Sequence, residues 1–284
     1  MKKGKFMKII KYFIAIVLCA MIFSISVSAY DLTVQVRLSG GIAVANAKVY
    51  LFNKWGSSNV TTTSSGNVVF TGLQTNIEYG VVVYADGYRL AYPNNAIVNS
   101  GTSNQTVMYT LIARPSSNNF NFIAPFSSMS PPSFGVNQHF SWRFYGGLDY
   151  HTGIDISKNA AGTTFGSMTL ANRPMVRNTR AGTVNTRVNT NPTTGLGNYV
   201  QMISYVGSTA YYVTYAHLDS VASSVPAAGS STTYPQSSDI GKVGTSGDST
   251  GVHLHISYST TSSTAKTSRN FIDPAACFDF KYAN

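Results

Sequence analysis

The sequence predicts an all-β protein: a small N-terminal β-sandwich followed by a twisted antiparallel β-sheet with long loops. Three observations predict it. Short runs that alternate apolar and polar residues recur along the chain after residue 29, among them "LTVQVRL", "GNVVFTG" and "GVHLHISY", and a period of two marks strands with one face in a core. Stretches containing Gly, Ser and Asn punctuate the runs. No stretch carries a convincing helical period of 3.6 residues.

Residues 1–29 read as a signal peptide and stand outside the fold. Lys2, Lys3, Lys5, Lys8 and Lys11 make a basic start, Tyr12 to Val27 are 16 residues without a charge, and Val27-Ser28-Ala29 closes with small residues. That is the layout of a cleaved secretory segment. The apolar run is shorter than the roughly 20 residues of a transmembrane helix, and Val17-Leu18 before Cys19 lacks the small residue of a lipoprotein cleavage site. The chain is therefore expected to be secreted, extracellular or associated with a cell wall, with no stable membrane span after cleavage.

The segment holds five of the 20 basic residues and none of the ten acidic ones, so its loss takes the formal charge from +10 to +5. The basic residues after position 125 form no run longer than one, which argues against a nucleic-acid partner, whose basic residues cluster on one element. Cleavage also removes Cys19 and leaves Cys277 alone, so no disulfide is expected within the mature chain. Ordinary cores must supply stability, and 255 of the 284 residues remain to build one large or two modest domains.

Residues 30–112 contain "LTVQVRL", "AKVYLFN", "GNVVFTG", "YGVVVYA" and "QTVMYTLI" at short spacing, the pattern of an antiparallel sandwich of about seven short strands. No pair of titratable side chains here suggests chemistry; the acidic residues are Asp31, Glu78 and Asp86. The order of "GGIAVANAKVYLF", "SSGNVVFTGL" and "EYGVVVYADGYRL" resembles carboxypeptidase-regulatory or transthyretin-like modules, which implies a binding or spacer module for a wall polymer or protein. Residues 113–125 read as a linker, part of a stretch rich in Ser, Asn and Pro that continues to Pro131-Pro132. Its aromatic residues Phe120, Phe122 and Phe126 suggest that part of it packs on a domain.

Residues 126–284 again read as strands, "AGTVNTRVN", "GNYVQMISYV", "AYYVTYAHL" and "GVHLHISYS", and contain all five histidines: His139, His151, His217, His253 and His255. In "GVHLHISY" the two imidazoles stand on the face that Val252, Leu254, Ile256 and Tyr258 do not use. Imidazole and carboxylate suit zinc, and a catalytic zinc takes three protein ligands and leaves one position open. His151 and Asp155, four apart across Gly153, read as a loop entering a strand, and His255 adds a third donor from another strand. The residues alone do not decide which histidine of "HLH" touches metal. A base is also needed, and the His-Glu-x-x-His solution is closed because Glu78 is the only Glu in the chain. The base must then be an imidazole or an Asp; His217 and His253 are the remaining candidates, and an imidazole with a pKa near neutrality suits the role.

"HTGID", "GNYV", "YAHL" and "IGKVGTSGDSTGVHLH", in that order, resemble the signature motifs of LytM or lysostaphin-type zinc metallopeptidases. The likeness runs from about residue 133 to 275, between "SFG" and "IDP". It implies a metallopeptidase domain with one Zn2+ per chain held by His151, Asp155 and His255, and a catalytic pair of His217 and His253 acting on peptide bonds of peptidoglycan. The two-residue spacing in "HLH", about 6.5 Å along a strand, suits one ligand beside a catalytic neighbour. The glycines of "GTSGDSTGVH" read either as a substrate wall or as a tight turn, and "GLGNYV" as a turn shaping the groove. His139, Arg143, Asp149 and Tyr150 lie close to His151 in sequence and read as packing or surface residues, one of which could orient it. The stretches after Asp155 and after His217 are longer than the family pattern, and insertions there would alter the groove and the bond cut. Two alternatives remain: a catalytically silent regulator or structural partner at the cell envelope, and a secreted peptidase of Gly-rich proteins.

Overall fold

The computed structural model describes residues 28–85, 88–90, 96–113, 122–126, 135–159, 161–188, 193–266 and 270–274. Residues 1–27 of the segment read as a signal peptide, Phe120, the Pro131-Pro132 pair and Cys277 lie outside the described residues. No helix among the described residues is long and apolar enough to cross a membrane.

Seven strands come first: β1 (Ala29–Leu38), β2 (Lys48–Asn53), β3 (Gly56–Thr61), β4 (Asn67–Gln74), β5 (Gly80–Tyr84), β6 (Tyr88–Leu90) and β7 (Gln105–Ala113). They form two sheets in the orders β4-β1-β7-β6 and β3-β2-β5. Alternate residues of β1, namely Leu32, Val34 and Val36, meet Val49, Leu51, Val81 and Val83 of the other sheet in one core, so the period of two maps directly onto the inner faces. The pairing is not antiparallel throughout. β1 and β7 run parallel, with Val34 opposite Val107, while β6 pairs antiparallel with β7 at the sheet edge.

The rest of the described chain holds β8 (Gly135–Gln138), β9 (Ser141–Phe144), β10 (Leu148–His151), β11 (Ile154–Lys158), β12 (Met175–Arg177), β13 (Thr183–Val188), β14 (Asn198–Val206), β15 (Thr209–Val221), β16 (Asp239–Val243), β17 (Leu254–Ser259) and β18 (Phe271–Ile272). All but β9 and β10 join a nine-stranded sheet whose main path is β12-β16-β15-β17-β11-β8. Every pairing in it is antiparallel, as the sequence predicts. β9 and β10 form a separate two-stranded hairpin.

β17, the strand of "HLHISY", lies between β15 and β11, and all six of its residues are buried. The alternation read from the sequence suggested one buried face and one open one. Leu254, Ile256 and Tyr258 do enter the core, but His255 and Ser257 on the other face are buried as well: His255 lies at the base of a cavity, and Ser257 lies against Gly153 where the chain crosses β17. The segment read as a linker also differs from a free spacer at its end. Phe122 stacks edge-on against Tyr258 at 5.0 Å and Phe126 against Phe165 at 5.5 Å, and both backbone sides of 123–125 are tied to residues 177–179.

Candidate metal centre

Strand register brings the site together. Asp155 on β11 lies directly opposite His255 on β17, and His255 lies opposite Ala216 on β15, one residue before His217. His151 ends β10, and Gly153 lets the chain pass from β10 into β11 against β17. A Cβ on Gly153 would overlap the Ile256 carbonyl oxygen and stand 2.9 Å from the Ser257 Cβ, so only glycine permits this crossing. His253 precedes β17 and bridges to Gly244.

Four of the five histidines and Asp155 therefore converge. The Asp155 Oδ1 lies 3.1 Å from His151 Nε2, 3.0 Å from His255 Nδ1 and 3.5 Å from His253 Nε2, while His151 Nε2 and His255 Nδ1 are 3.0 Å apart. The rings of His217 and His253 stand 4.8 Å apart, and those of His217 and His255 5.8 Å. His151, Asp155 and His255 are all buried and form a group able to hold a metal ion. His139, the fifth histidine, stays outside this group.

Backbone carbonyls fix the tautomers. His151 Nδ1–H donates to the carbonyl of residue 139 at 2.6 Å, His217 Nδ1–H to that of Ser246 at 2.7 Å, and His253 Nδ1–H to that of Gly251 at 2.7 Å. Each of these rings then presents its Nε2 lone pair to the centre, because a neutral imidazole has a single N–H. His255 is reversed, with Nδ1 inward and Nε2 3.4 Å from the Thr152 hydroxyl. His217 adopts this position at φ 59°, a left-handed conformation that non-glycine residues rarely take and that gathers at functional sites.

This donor set fits a cation. With its proton on the carbonyl of residue 139, His151 meets the Asp155 oxygen lone pair to lone pair, and burial lowers the His151 pKa despite the opposing pull of Asp155, so a proton does not relieve the contact. Three donors 3.0–3.1 Å apart come near the edge of about 3.3 Å expected on one face of a zinc tetrahedron with bonds of about 2.0–2.1 Å. Burial, followed by repulsion from other imidazoles, also lowers His217 to about 4; burial is the main cause for His255, lowered to about 4. Burial alone would raise Asp155, but His151 and His255 hold it well below the usual carboxylate range. The whole set is thus deprotonated at neutral pH.

A cavity of about 510 Å³ opens over these groups, with Gln138, Tyr145, Tyr199, Asp248, Thr250 and Lys266 among its walls. The Tyr145 hydroxyl donates to Thr250 Oγ1 at 3.1 Å, joining the β9–β10 turn to the glycine-rich loop. Arg143 Nε donates to Asp149 at 2.8 Å and its Nη1 reaches Asp155 Oδ2 at 3.5 Å, while Lys266 holds the other Asp149 oxygen at 2.6 Å. Arg143 and the carbonyl of residue 139 thus touch the donor set; from sequence both residues read chiefly as packing or surface, with one residue near His151 able to orient it. Nothing in the sequence but proximity could have singled them out.

The glycines of "GTSGDSTGVH" divide between the two readings. Gly247, at φ +75°, packs so tightly on Gly195 and Gly197 that a Cβ would overlap their backbone, which is a packing role. Asp248, Ser249, Thr250 and Gly251 line the cavity. Leu196 of "GLGNYV" lines it too, and its carbonyl receives the His217 N–H at 3.0 Å. Among the described residues of the two enlarged stretches, 158–159, 161–184 and 221–239, none lines this cavity. Phe165, Val225 and Tyr234 bury into the core instead.

No protein-family model and no curated protein matches the chain. Solved structures do resemble it. The catalytic domain of EnpA, a prophage-encoded M23 protein from Enterococcus faecalis, is 20% identical over 52% of this chain and 95% of its own, with a TM-score of 0.36. The antimicrobial peptidase lysostaphin from Staphylococcus simulans is 18% identical over 55% of this chain and 51% of its own, TM-score 0.38, so the match spans about half of lysostaphin. A putative peptidase M23 from Pseudomonas aeruginosa is 15% identical over 90% of this chain and 97% of its own, TM-score 0.32. At these identities and TM-scores the likenesses stop short of assigning a family.

Proposed function

We propose that this protein is a secreted zinc endopeptidase that hydrolyses peptide bonds of bacterial peptidoglycan, in a stem peptide or a cross-bridge. The observation that carries this reading is the convergence of His151, Asp155 and His255 on one point, with the Nε2 atoms of His217 and His253 turned to the same place. The quoted motifs supply the substrate class; the geometry supplies the chemistry.

His151, Asp155 and His255 would hold the ion, which when bound supplies a Lewis acid to polarise the scissile carbonyl and to acidify water. His217 and His253 accept and return the proton. Each is anchored through Nδ1–H to a carbonyl, so its Nε2 is a lone pair aimed into the cavity without rotational search. Burial, followed by the neighbouring imidazoles, lowers the His217 pKa to about 4, so the ring is neutral at neutral pH but lies below the near-neutral value expected from its sequence context. Once protonated, the same imidazole stabilises negative charge on the tetrahedral oxygen and then gives its proton to the leaving amine. The sandwich would hold the enzyme near a wall polymer or protein.

Mass spectrometry of fragments released from purified peptidoglycans with different cross-bridges tests the proposal. New amine and carboxyl ends at one bond type are expected. Intact walls from every source would leave the silent envelope partner, and cleavage confined to Gly-rich proteins would move the substrate outside the wall.

A further inference from the structure

Within the sheet β3-β2-β5, strands β2 and β5 carry buried apolar residues on both faces. Val49, Leu51, Val81 and Val83 enter the sandwich core, while the alternate residues Phe52 and Val82 are buried in the other core cluster, with Trp142, Tyr150, Ile154 and Ile256. A sandwich that served only as a spacer would present a polar outer face here. The runs "VYLF" and "VVVY" do not alternate, and that pattern belongs to strands covered on both sides.

What covers this face is the β9–β10 hairpin that ends in His151. A Cβ on Gly80 of β5 would overlap the Trp142 ring and stand 2.6 Å from the Trp142 Cβ, so the indole lies directly on the sandwich backbone. The His139 ring sits 5.9 Å from Phe52 and edge-on to Tyr84 at 5.6 Å, and its Nε2–H donates to the Trp142 carbonyl at 2.9 Å. The carbonyl of His139 itself receives the His151 Nδ1–H. Tyr150, next to His151, packs on Trp142 at 5.1 Å.

The hairpin needs this support. Among the described residues β9 and β10 pair only with each other and take no place in the nine-stranded sheet that carries Asp155 and His255, and a two-stranded hairpin by itself is marginal in water. We infer that the N-terminal sandwich is a built-in part of the metal centre, which fixes the position and tautomer of His151 through Gly80, Trp142 and His139. These three act as positioning residues. The inference rests on the metal reading above, and it gives the sandwich a function in catalysis that a tether does not have.

The test uses the full chain with cobalt(II) as a spectroscopic stand-in for zinc, read by its visible absorption band and by competition with zinc. Gly80→Ala pushes on Trp142 from the other sheet at a backbone conformation that accepts alanine, and His139→Ala removes the ring between the two parts without adding volume. Met108→Thr, at a side chain 63% exposed on β7, is the control. Both positioning variants are expected to bind metal about 10–100-fold more weakly, the loss typical when the partner orienting a ligand is disturbed, and to shift the cobalt band; the control keeps both. If Gly80→Ala does not fold, His139→Ala decides the matter. Folded variants with the affinity and band of the parent overturn the coupling and leave the metal reading standing. A parent that takes up no cobalt or zinc overturns the metal reading itself and this inference with it.

Discussion

Gly153 offers the sharpest test of how the fold sets the site. It lies between His151 and Asp155, and a Cβ there would overlap the Ile256 carbonyl oxygen and stand 2.8 Å from the Ile256 carbonyl carbon. Carbon contacts settle at about 3.5–4.0 Å, so Gly153→Ala must open the crossing of β11 and β17 by about 1 Å. The obstructing atoms are backbone, so no rotamer change relieves them. Overpacking of this kind costs about 1–3 kcal/mol. The opening falls on the pair that places Asp155 Oδ1 3.0 Å from His255 Nδ1, and it is several times the tolerance of about 0.2 Å on a metal–ligand distance. Zinc affinity should drop by about 100-fold or more, which removes about 2.7 kcal/mol of the stabilisation that saturating zinc gives the folded chain. Competition with a chromophoric chelator measures the first number, and thermal unfolding with and without zinc the second. A Gly153→Ala protein with the zinc affinity and metal-free stability of the parent would refute the reasoning.

Three further outcomes are expected. His255→Ala should lose zinc, whereas His253→Ala should keep most of it while turnover collapses; elemental analysis and peptide release read the two, and equal zinc loss would mean the roles within the pair are wrong. Gly247→Ala strains a φ of +75° and pushes on Gly195 and Gly197, next to the Ser246 carbonyl that holds His217, so kcat should fall about 10-fold or more with zinc retained; unchanged kcat in a folded variant counts against the anchor. The metal-free chain should lose stability as pH falls from about 6.5 to about 4. Over that window the unfolded chain gains protons on His217 and His255 that the folded chain, with both lowered to about 4, does not bind. Either shift alone corresponds to about 3 kcal/mol, and the two together to less than twice that, since part of the His217 shift comes from its repulsion with His255. Urea midpoints of the metal-free protein at pH 7, 6 and 5 check this, and a flat profile contradicts it.

Much of the fold was legible because a period of two is a local property. The inner faces of the sandwich and the Leu254, Ile256 and Tyr258 face of β17 follow from it directly. Pairing direction is not local: nothing within β1 or β7 says that they run parallel, and nothing within "HLHISY" says that its second face is also buried. The apolar runs of β2 and β5 did carry a signal, since a strand without alternation has to be covered twice, but the cover lies some 60 residues beyond β5 and some 90 beyond β2, at Trp142. At the site, the side chains that converge stood out because the chain holds so few histidines. The groups that orient them did not, because three are backbone carbonyls, which every residue has. Gly153 stood in plain view inside "HTGID", and its reason, the Ile256 backbone, became visible only with the strand crossing.

Metal-dependent bond cleavage at this site is tested most directly by removing the metal and giving it back. The purified chain is stripped with a chelator, incubated with purified peptidoglycan, and the release of new amino groups is followed before and after one equivalent of zinc is added. The account predicts no release from the stripped protein, release on addition of zinc, and none from His255→Ala treated in the same way. Release that continues after complete removal of metal, or that survives His255→Ala, would contradict it.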